Sequence, residues 1–551
     1  MNINIEKTPF SRYGSSVALS KYEGKLYLRT MYGMWDNDRV FLVTLTKDGQ
    51  EIDYEISAKP WQVKLKTKEG NIKIFIKDNH TIVFESEGPE LSFDALNASI
   101  SYISMKSDSS LMITEYDKNI YAGINVIKGG IQKVNGEERV YYTYPENGYM
   151  LLEVTVAEEE FVMRKTDFDV AEAIFAVKKE FFDWTAGYEP KNLDYSKTAM
   201  LAAYIMWSSV LYPRGYLKRP TVLMSKNWMH YVWSWDHCFT AMALSENHPE
   251  LALDQFMVLF DQQAENGKLP DMMSHTYISR MFTKPPVHGW CFLKLMEAGV
   301  PVSDEQLCVI YNKLSKWTDW WFNYRDSDSD GICQYDHGNE CGWDNCTTFD
   351  GGLSVEAPEL TAYLLLQEKC LIKIAEKLGL PYEIKKWSQA YDSLYEKFIQ
   401  HFCDGDRLKA IVSREHTEIE TYALLNYVTV VLGDLLPKNI FDEIVSVLKV
   451  EGEFLTENGL ATESIKSPKY EKGRSYWRGS IWSPVIYIIT DGLFSGGETE
   501  LAKEIALRFC NMVNGKDGIY ENYDALTGLG NDDPSYTWAA GVFLMLLKKY
   551  L

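Results

Sequence analysis

Residues 501–512 read Leu-Ala-Lys-Glu-Ile-Ala-Leu-Arg-Phe-Cys-Asn-Met, and this spacing is the pattern that decides the fold of the C-terminal part of the chain. Leu501, Ile505, Phe509 and Met512 fall on one face of a helix, and the charged side chains lie on the other. The same periodicity continues from about Asn192 onward. It predicts about a dozen helices, at 196–212, 235–246, 249–265, 286–299, 304–324, 356–378, 382–403, 419–434, 438–449, 481–494, 498–513 and 534–549.

The first 160 residues alternate with a period of two instead. Isoleucine occupies every second position from Ile72 to Ile76, and Val63 and Leu65 flank a lysine. Period-two runs separated by glycine-containing breaks predict antiparallel sheets packed as a β-sandwich. We therefore expect a β-sandwich domain at 1–160, a linker helix within 161–191 and an all-α domain at 192–551.

A dozen helices in the second domain fit two architectures. They could form an open α-solenoid, or a closed double ring of six inner and six outer helices. The richest clusters of polar and aromatic residues lie in the loops between the predicted helices. A closed ring would gather those loops at one end into a pocket, so the ring is favoured, although periodicity alone does not decide closure.

Composition limits the possible partners. The chain has 551 residues, of which 46% are hydrophobic and 24% charged, as in ordinary globular proteins with more than one domain. The net charge of −22 disfavours nucleic acids and anionic membranes as partners. No apolar run is long enough to predict a membrane span. Nine cysteines without a CxxC pair, and an N-terminus unlike a signal peptide, predict a cytoplasmic protein with reduced thiols. The sequence predicts no oligomeric state.

Two short stretches place a carboxylate among aromatic and amide side chains: residues 340–345, which contain Asp344, and residues 520–523, which contain Glu521. Glycosidic bonds are broken between two carboxyl groups, one donating a proton to the leaving oxygen and one activating water or attacking carbon. Asp344 and Glu521 are therefore the candidate acid and base, and a small carbohydrate is the expected partner. Each could instead be an ordinary surface carboxylate in a loop.

Other clusters suggest a sugar subsite. Asp236 directly follows the tryptophan pair Trp233 and Trp235, although an aspartate there could simply cap the helix that follows. The stretch at residues 476–482 contains Arg478, which could orient a catalytic carboxylate or a substrate hydroxyl, or could pair with a structural carboxylate. Its tryptophans could equally belong to the core.

The acidic run at residues 326–331 begins like a calcium loop, with Asp326, Asp328 and Asp330 at positions 1, 3 and 5 and a glycine at position 6. Position 12 is His337, where a glutamate is expected, so an acidic turn is favoured over calcium. No HExxH motif predicts a catalytic zinc, and no Walker loop or GxGxxG motif predicts a nucleotide. We expect no required cofactor.

Five short motifs follow one another along about 300 residues of the chain. They are Trp233-x-Trp235-Asp236-x-x-Phe239, Lys284-Pro285-Pro286, Glu340-x-Gly342-Trp343-Asp344-Asn345, Tyr476-Trp477-Arg478-Gly479-x-Ile481-Trp482, and Tyr520-Glu521-Asn522-Tyr523 followed by Trp538. In these motifs the chain resembles the inverting glycoside hydrolases of family 63, which are related to the trehalases of family 37. The resemblance implies an (α/α)6 barrel, and some members carry an N-terminal β-sandwich.

The resemblance also implies roles for individual residues. Asp344 is expected to be the general acid and Glu521 the general base of an inverting exo-α-glycosidase, most simply an α-glucosidase acting on a short oligosaccharide or glucoside. The residues expected to bind the substrate are Trp233, Asp236, Lys284, Trp343, Trp477, Arg478 and Trp482. The alternatives are another carbohydrate-active enzyme on the same barrel, such as an epimerase or lyase, and a carbohydrate-binding protein that has lost catalysis.

Overall fold

The computed structural model describes residues 1–32, 38–96, 101–132 and 140–551. Contacts between Cα atoms divide the chain into two compact units. The first unit comprises Met1–Tyr188, Met200–Pro213 and Val222–His230, and the second comprises Glu189–Ala199, Arg214–Thr221 and Tyr231–Leu551.

The first unit contains two antiparallel sheets. One runs β1 (Val17–Tyr22), β2 (Lys25–Thr30), β3 (Arg39–Lys47), β9 (Glu90–Ala95), β14 (Val140–Tyr144) and β13 (Gly130–Ile131), with β4 (Gln50–Glu51) paired to β3. The other runs β10 (Ser101–Ser107), β11 (Ser110–Glu115), β12 (Ile120–Lys128), β15 (Tyr149–Ala157), β8 (Thr81–Glu87), β7 (Asn71–Ile76), β6 (Gln62–Lys66) and β5 (Glu55–Lys59).

The inward faces of the two sheets form one core. Phe93 of the first sheet contacts Phe84 of the second edge to face, with ring centroids 5.5 Å apart. The alternating isoleucines of β7 are buried, as period-two patterning predicts. The predicted β-sandwich is confirmed.

Helix α1 (Val170–Thr185) follows the sandwich and packs on it. Asp169 caps its first turn by accepting a hydrogen bond from the Glu172 N–H. Val170 then joins a buried cluster with Phe75, Val83 and Leu151. The predicted connecting helix is therefore packed against the second sheet.

The helices of the second unit close into a ring. Its inner members are α3 (Asp236–Leu244), α5 (His288–Glu297), α7 (Pro358–Leu378), the segment Leu424–Leu435, α10 (Ser483–Ser495) and α12 (Thr537–Tyr550). Each packs against the next in this order, and α12 packs against α3, so the inner ring has no open end. The fold is an (α/α)6 barrel, as expected, and an open solenoid is excluded.

An outer layer covers the inner helices. Helix α4 (Pro249–Met257) packs on α3, α6 (Asp304–Tyr324) and α8 (Pro381–Phe402) on α7, α9 (Lys438–Leu448) on the segment Leu424–Leu435, and α11 (Thr499–Val513) on α10 and α12. The twelfth helix, α2 (Ser196–Ser208), is divided between the two units. None of the helices in the described ranges is long and apolar enough to cross a membrane.

One predicted α-helix, at 419–434, has a different geometry. Leu424–Leu435 forms 3₁₀ turns that are interrupted at Gly433, whose φ is 54°. The run at residues 428–431 consists of β-branched residues, which lower α-helical propensity. A Cβ at Gly433 would also lie 2.1 Å from the Ser495 hydroxyl, so glycine is needed where this segment approaches α10.

Candidate active site

The candidate functional residues lie in loops that lead into the N-terminal ends of inner helices. Trp233 precedes α3, Lys284 precedes α5, Asp344 precedes α7, Tyr476 precedes α10 and Glu521 precedes α12. Because inner helices of this barrel run in the same direction, these loops meet at one end of the ring. The structure therefore brings together residues that lie up to about 290 positions apart in the sequence.

The acid loop, residues 326–357, holds Asp344 at the edge of the pocket. Its Glu340 is buried and accepts hydrogen bonds from Arg325 Nε and the Asp336 N–H, each at 2.9 Å. Gly342 has a φ of 78°, and a Cβ there would lie 2.7 Å from the Trp235 ring. The loop therefore needs glycine at 342, and the buried ion pair anchors the turn that presents Asp344.

Two residues contact the Asp344 carboxylate. Tyr476 donates a hydrogen bond from its hydroxyl to Asp344 Oδ2 at 3.2 Å. The ammonium of Lys284 lies 3.6 Å from Oδ1, and Oδ1 accepts no hydrogen bond from any described residue. The Asp344 side chain remains 31% exposed, so it can reach a ligand in the pocket.

Lys284 links two further groups. Its ammonium lies 3.7 Å from Asp271 and donates to the carbonyl of Asn339 at 2.7 Å. The side chain is buried, and burial raises the pKa of Asp271 while Lys284 opposes that rise. Asp271 was not predicted from the sequence, because it belongs to no recognisable motif. It lies next to Lys284 because the short strand that follows it, Met272–Met273, pairs with Val232–Trp233.

Asp236 does not cap the helix that follows it. It is the first residue of α3, and no side-chain hydrogen bond caps that helix. Asp236 is buried, its Oδ2 has no hydrogen-bond partner among the described residues, and burial raises its pKa to about 8. Nearby Lys284 opposes this rise, whereas Asp271 and Asp344 add to it. The carboxyl group is therefore suited to hold a proton near neutral pH.

Glu521 lies next to a short hairpin that precedes α12. Asn522–Tyr523 pairs with Gly530–Asn531, and the Glu521 N–H donates to the carbonyl of Asp533 at 2.9 Å. Glu521 is only 5% exposed. Burial raises the pKa of its carboxyl group well above the ordinary value, and Asp532, Asp533 and Asp236 raise it further.

Three predicted subsite tryptophans form one stack. Trp477 lies between Trp343 and Trp482, with ring centroids 4.9 Å and 3.9 Å apart and planes 19° and 5° from parallel. All three are at most 2% exposed. Trp482 also donates from its indole N–H to the carbonyl of Tyr476 at 3.0 Å. The stack therefore supports Tyr476 and leaves little of these three rings for a sugar to cover, whereas Trp233 is only partly buried.

Arg478 does not reach either carboxylate of the candidate pair. Its Nε donates to the carbonyl of Asn345 at 2.9 Å, and its guanidinium pairs with Asp350. The Asn345 side chain in turn accepts from the Trp477 N–H at 2.8 Å. These contacts tie the acid loop to the loop before α10, so Arg478 positions Asp344 from outside the pocket.

The acidic run at residues 326–331 lies next to other possible metal ligands. Asp328, Asp330, Glu356 and His416 each offer a ligand atom, and these atoms lie within 4.8 Å of one another. Glu356 is a glutamate beside the run, whereas position 12 of the sequence motif is His337. It is fully buried and its Oε1 has no described partner, whereas Oε2 contacts His401 Nε2 at 2.7 Å. This donor set suits a divalent cation.

Comparison with known proteins places the helical unit in a family. Residues 229–539 match the family model described as the mannosylglycerate hydrolase MGH1-like glycoside hydrolase domain. Mannosylglycerate hydrolase MGH1 of Selaginella moellendorffii is 23% identical over 397 residues, 58% of this chain and 80% of that protein. The mannosyl-oligosaccharide glucosidase of Saccharomyces cerevisiae is 24% identical over 212 residues, 34% of this chain and 25% of that protein.

Solved structures show the same fold. The GH63 mannosylglycerate hydrolase of Thermus thermophilus, in complex with Tris and D-glycerate, superposes with a TM-score of 0.53 at 19% identity, covering 62% of this chain and 98% of that one. A bacterial glucoamylase in complex with acarbose superposes with a TM-score of 0.62 at 12% identity, covering 98% of this chain and 93% of that one.

Proposed function

Because the chain belongs to the mannosylglycerate hydrolase MGH1-like family of glycoside hydrolases, within family 63, we propose that it is an inverting exo-α-glycosidase. Its substrate is a short oligosaccharide or glucoside, with glucose as the sugar that is released. Asp344 is the general acid and Glu521 is the general base. The observation that carries this proposal is that Tyr476 donates a hydrogen bond to Asp344 and lies close enough to Glu521, which comes from a different loop, to interact with it electrostatically.

The surroundings of Asp344 suit proton donation to a leaving group. Tyr476 donates to Oδ2 and the Lys284 ammonium lies beside the buried Oδ1, so the carboxyl group is held in one orientation. The side chain is partly exposed, as a group must be if it is to reach the glycosidic oxygen. In the reaction the proton moves from the Asp344 carboxyl group to that oxygen while the bond to the anomeric carbon breaks.

Glu521 suits the activation of water. It is buried beside Asp532 and Asp533, so its ionised form is a strong base. In an inverting reaction it takes a proton from a water molecule as that water attacks the anomeric carbon from the face opposite the leaving group. This role requires a gap of roughly 6.5–9.5 Å between the two carboxyl groups, with room for the water.

The test is hydrolysis of a panel of α-glucosides, α-mannosides and α-galactosides, with NMR detection of the anomer that forms first. We expect glucose to be released from the non-reducing end, with the β-anomer appearing first. Release of the α-anomer first would refute inversion. Internal cleavage of a long glucan would refute exo action, and a preference for mannosides would refute the choice of glucose. Glu521→Gln protein, prepared identically, controls for contaminating hydrolases.

A further inference from the structure

Lys284 lies between two carboxyl groups at nearly equal distances. Its ammonium is 3.7 Å from Asp271 Oδ1 and 3.6 Å from Asp344 Oδ1, and neither oxygen accepts a hydrogen bond from any described residue. A buried ammonium needs a negative charge to offset it, whereas two ionised carboxylates close together repel each other. We therefore expect one of these carboxyl groups to be ionised beside Lys284 and the other to keep its proton.

The surroundings of Asp271 favour it as the ionised partner. Burial raises the pKa of Asp271, but two lysines, Lys284 and Lys268, oppose that rise. Lys268 donates to the carbonyl of Arg280 at 2.7 Å, and this bond keeps its ammonium near Asp271. Asp344 forms an ion pair with Lys284 alone of these two lysines. The positive charge is therefore concentrated on the side of Asp271.

The backbone fixes the position of Asp271. Its N–H donates to the carbonyl of Ser279 at 3.0 Å, and its carbonyl accepts from the Ser234 N–H at 3.1 Å. Asp271 thus continues the strand Met272–Met273 between its two neighbouring strands. Asp344, in contrast, lies in a loop, and its side chain is 31% exposed. The carboxyl group of Asp271 is therefore the one that is held permanently beside the lysines.

The other titratable groups that the described structure places near these carboxyl groups are neutral or paired. Burial raises the pKa of Asp236 to about 8, so this carboxyl group is largely protonated at neutral pH. The remaining groups are the Cys341 thiol and the Tyr476 hydroxyl, whose pKa values burial also raises, and the ion pair of Arg325 with Glu340, which faces Lys268. The Tyr476 hydroxyl donates to Asp344 Oδ2, which can accept in either protonation state.

We propose that Asp271 is a positioning residue that serves as the counter-ion of Lys284, so that Asp344 keeps the proton that it gives to the leaving oxygen. Without Asp271, the ammonium would favour the ionised form of Asp344, which cannot act as an acid. With Asp271 in place, Lys284 anchors the acid loop through the carbonyl of Asn339 without removing the proton from the acid. This role rests on the proposed function of Asp344.

The experiment measures kcat/KM against pH for an alkyl α-glycoside of the sugar that the substrate panel identifies. The general acid must be protonated, so the basic limb of the profile reports the loss of its proton. Asp271→Asn keeps the shape of the side chain and removes the charge. We expect its basic limb to move to lower pH by roughly one unit, the scale of a charge removed a few ångströms away.

A second variant tests whether charge is the cause. Asp271→Asn/Lys284→Met removes both charges, so no ammonium remains to favour the ionised form of Asp344. Its basic limb should lie at higher pH than that of Asp271→Asn, although the rate should be lower because the bond to Asn339 is lost. A merely structural role of Asp271 would lower the rate of the double variant without moving the limb back.

Two controls complete the measurement. Asp236 also loses its proton near pH 8, and the α-glycosyl fluoride of the same sugar separates its effect from that of Asp344. Fluoride leaves with little protonation, so Asp271→Asn should move the basic limb much less with this substrate. Asp261→Asn removes a carboxylate that pairs with Arg219 elsewhere in the barrel, and it should keep the wild-type profile.

The outcomes distinguish this role from the proposed function. A basic limb that stays in place in Asp271→Asn, moves equally with both substrates, or does not return in the double variant would overturn the role of Asp271 and leave the enzyme an α-glycosidase. Hydrolysis of no glycoside by the wild-type enzyme would overturn the proposed function and, with it, the role of Asp271.

Discussion

The hydroxyl of Tyr476 donates to Asp344 Oδ2 across 3.2 Å and joins the loop before α10 to the acid loop. Burial, together with nearby Asp344 and Glu521, raises the pKa of Tyr476, so the hydroxyl keeps its proton and remains a donor. Tyr476 has a φ of 57°, and its backbone carbonyl accepts a hydrogen bond from the Trp482 indole N–H. The tryptophan stack thereby fixes the orientation of the proposed acid.

Tyr476→Phe removes this hydrogen bond and keeps the ring. We expect kcat to fall about tenfold or more, because hydrogen bonds to charged groups contribute roughly 1.5–3 kcal/mol. KM should change less, since the ring still packs against Trp477 and Trp482. Tyr470→Phe is the matched control, because the Tyr470 hydroxyl has no hydrogen-bond partner in the described ranges. Equal effects of the two substitutions would argue against a role for Tyr476 in positioning Asp344.

Asp344→Asn preserves the shape of the side chain but cannot donate a carboxylic proton. General acid catalysis contributes about 10²–10⁴-fold, so a loss of that size is expected for substrates with poor leaving groups. The loss should shrink for aryl glycosides and glycosyl fluorides, which need little protonation. Kinetics across a leaving-group series measures the difference, and near-wild-type turnover of an alkyl glycoside would remove Asp344 from the role.

The helices and the acid and base candidates could be predicted from the sequence, because helical periodicity and short motifs are local signals. Periodicity alone did not decide the closure of the ring, because closure depends on α12 packing against α3, which begins about 300 residues earlier; the family resemblance predicted it. Asp271 also escaped prediction, since a lone aspartate outside a motif resembles any surface carboxylate until a strand pairing brings it to Lys284.

The sequence also could not show which groups surround the tryptophans and Arg478 in the folded protein. A Trp beside a polar residue can cover a sugar or pack on another ring, and both choices satisfy the same pattern. Trp343, Trp477 and Trp482 pack on one another and are almost wholly covered. For Arg478 the sequence left open a role toward a catalytic carboxylate or the substrate and a pairing with a structural carboxylate; in the structure Arg478 contacts the backbone of Asn345 and the side chain of Asp350.

Glu521→Gln should abolish turnover without a trappable covalent intermediate, because an inverting base never bonds to the sugar. In Glu521→Ala, azide should restore part of the activity on an activated substrate by occupying the space of the lost carboxylate and water. Mass spectrometry after incubation with a 5-fluoroglycosyl fluoride measures adduct formation. A stable adduct on Glu521 would show a retaining nucleophile in place of an inverting base.

The pH dependence of kcat/KM should report the burial of Glu521. A general base acts in its ionised form, so a raised pKa moves the acidic limb of the profile to higher pH than an exposed glutamate would give. Asp533→Asn removes one of the neighbouring charges that raise this pKa, so the acidic limb should move to lower pH. The basic limb should stay in place as an internal control. An acidic limb that moves to higher pH would contradict the assignment of Glu521 as the base.

The acidic run at residues 326–331 is expected to bind calcium. Asp328, Asp330 and the buried carboxyl of Glu356 converge there, and oxygen donors of this kind suit calcium. We expect calcium to raise the Tm of protein that has been treated with a chelator and dialysed, because a ligand present at about 100 times its Kd stabilises the folded state by roughly 2.7 kcal/mol.

The double variant Asp328→Asn/Asp330→Asn should lose this response. Asp442→Asn, which removes an exposed carboxylate that pairs with Lys438 elsewhere on the barrel, should keep it. Differential scanning calorimetry with and without about 10 mM calcium, roughly 100 times a Kd of about 0.1 mM at the weak end of protein sites, makes the measurement. An unchanged Tm in the wild-type protein would favour an acidic turn held by His401 and His416 over a cation site.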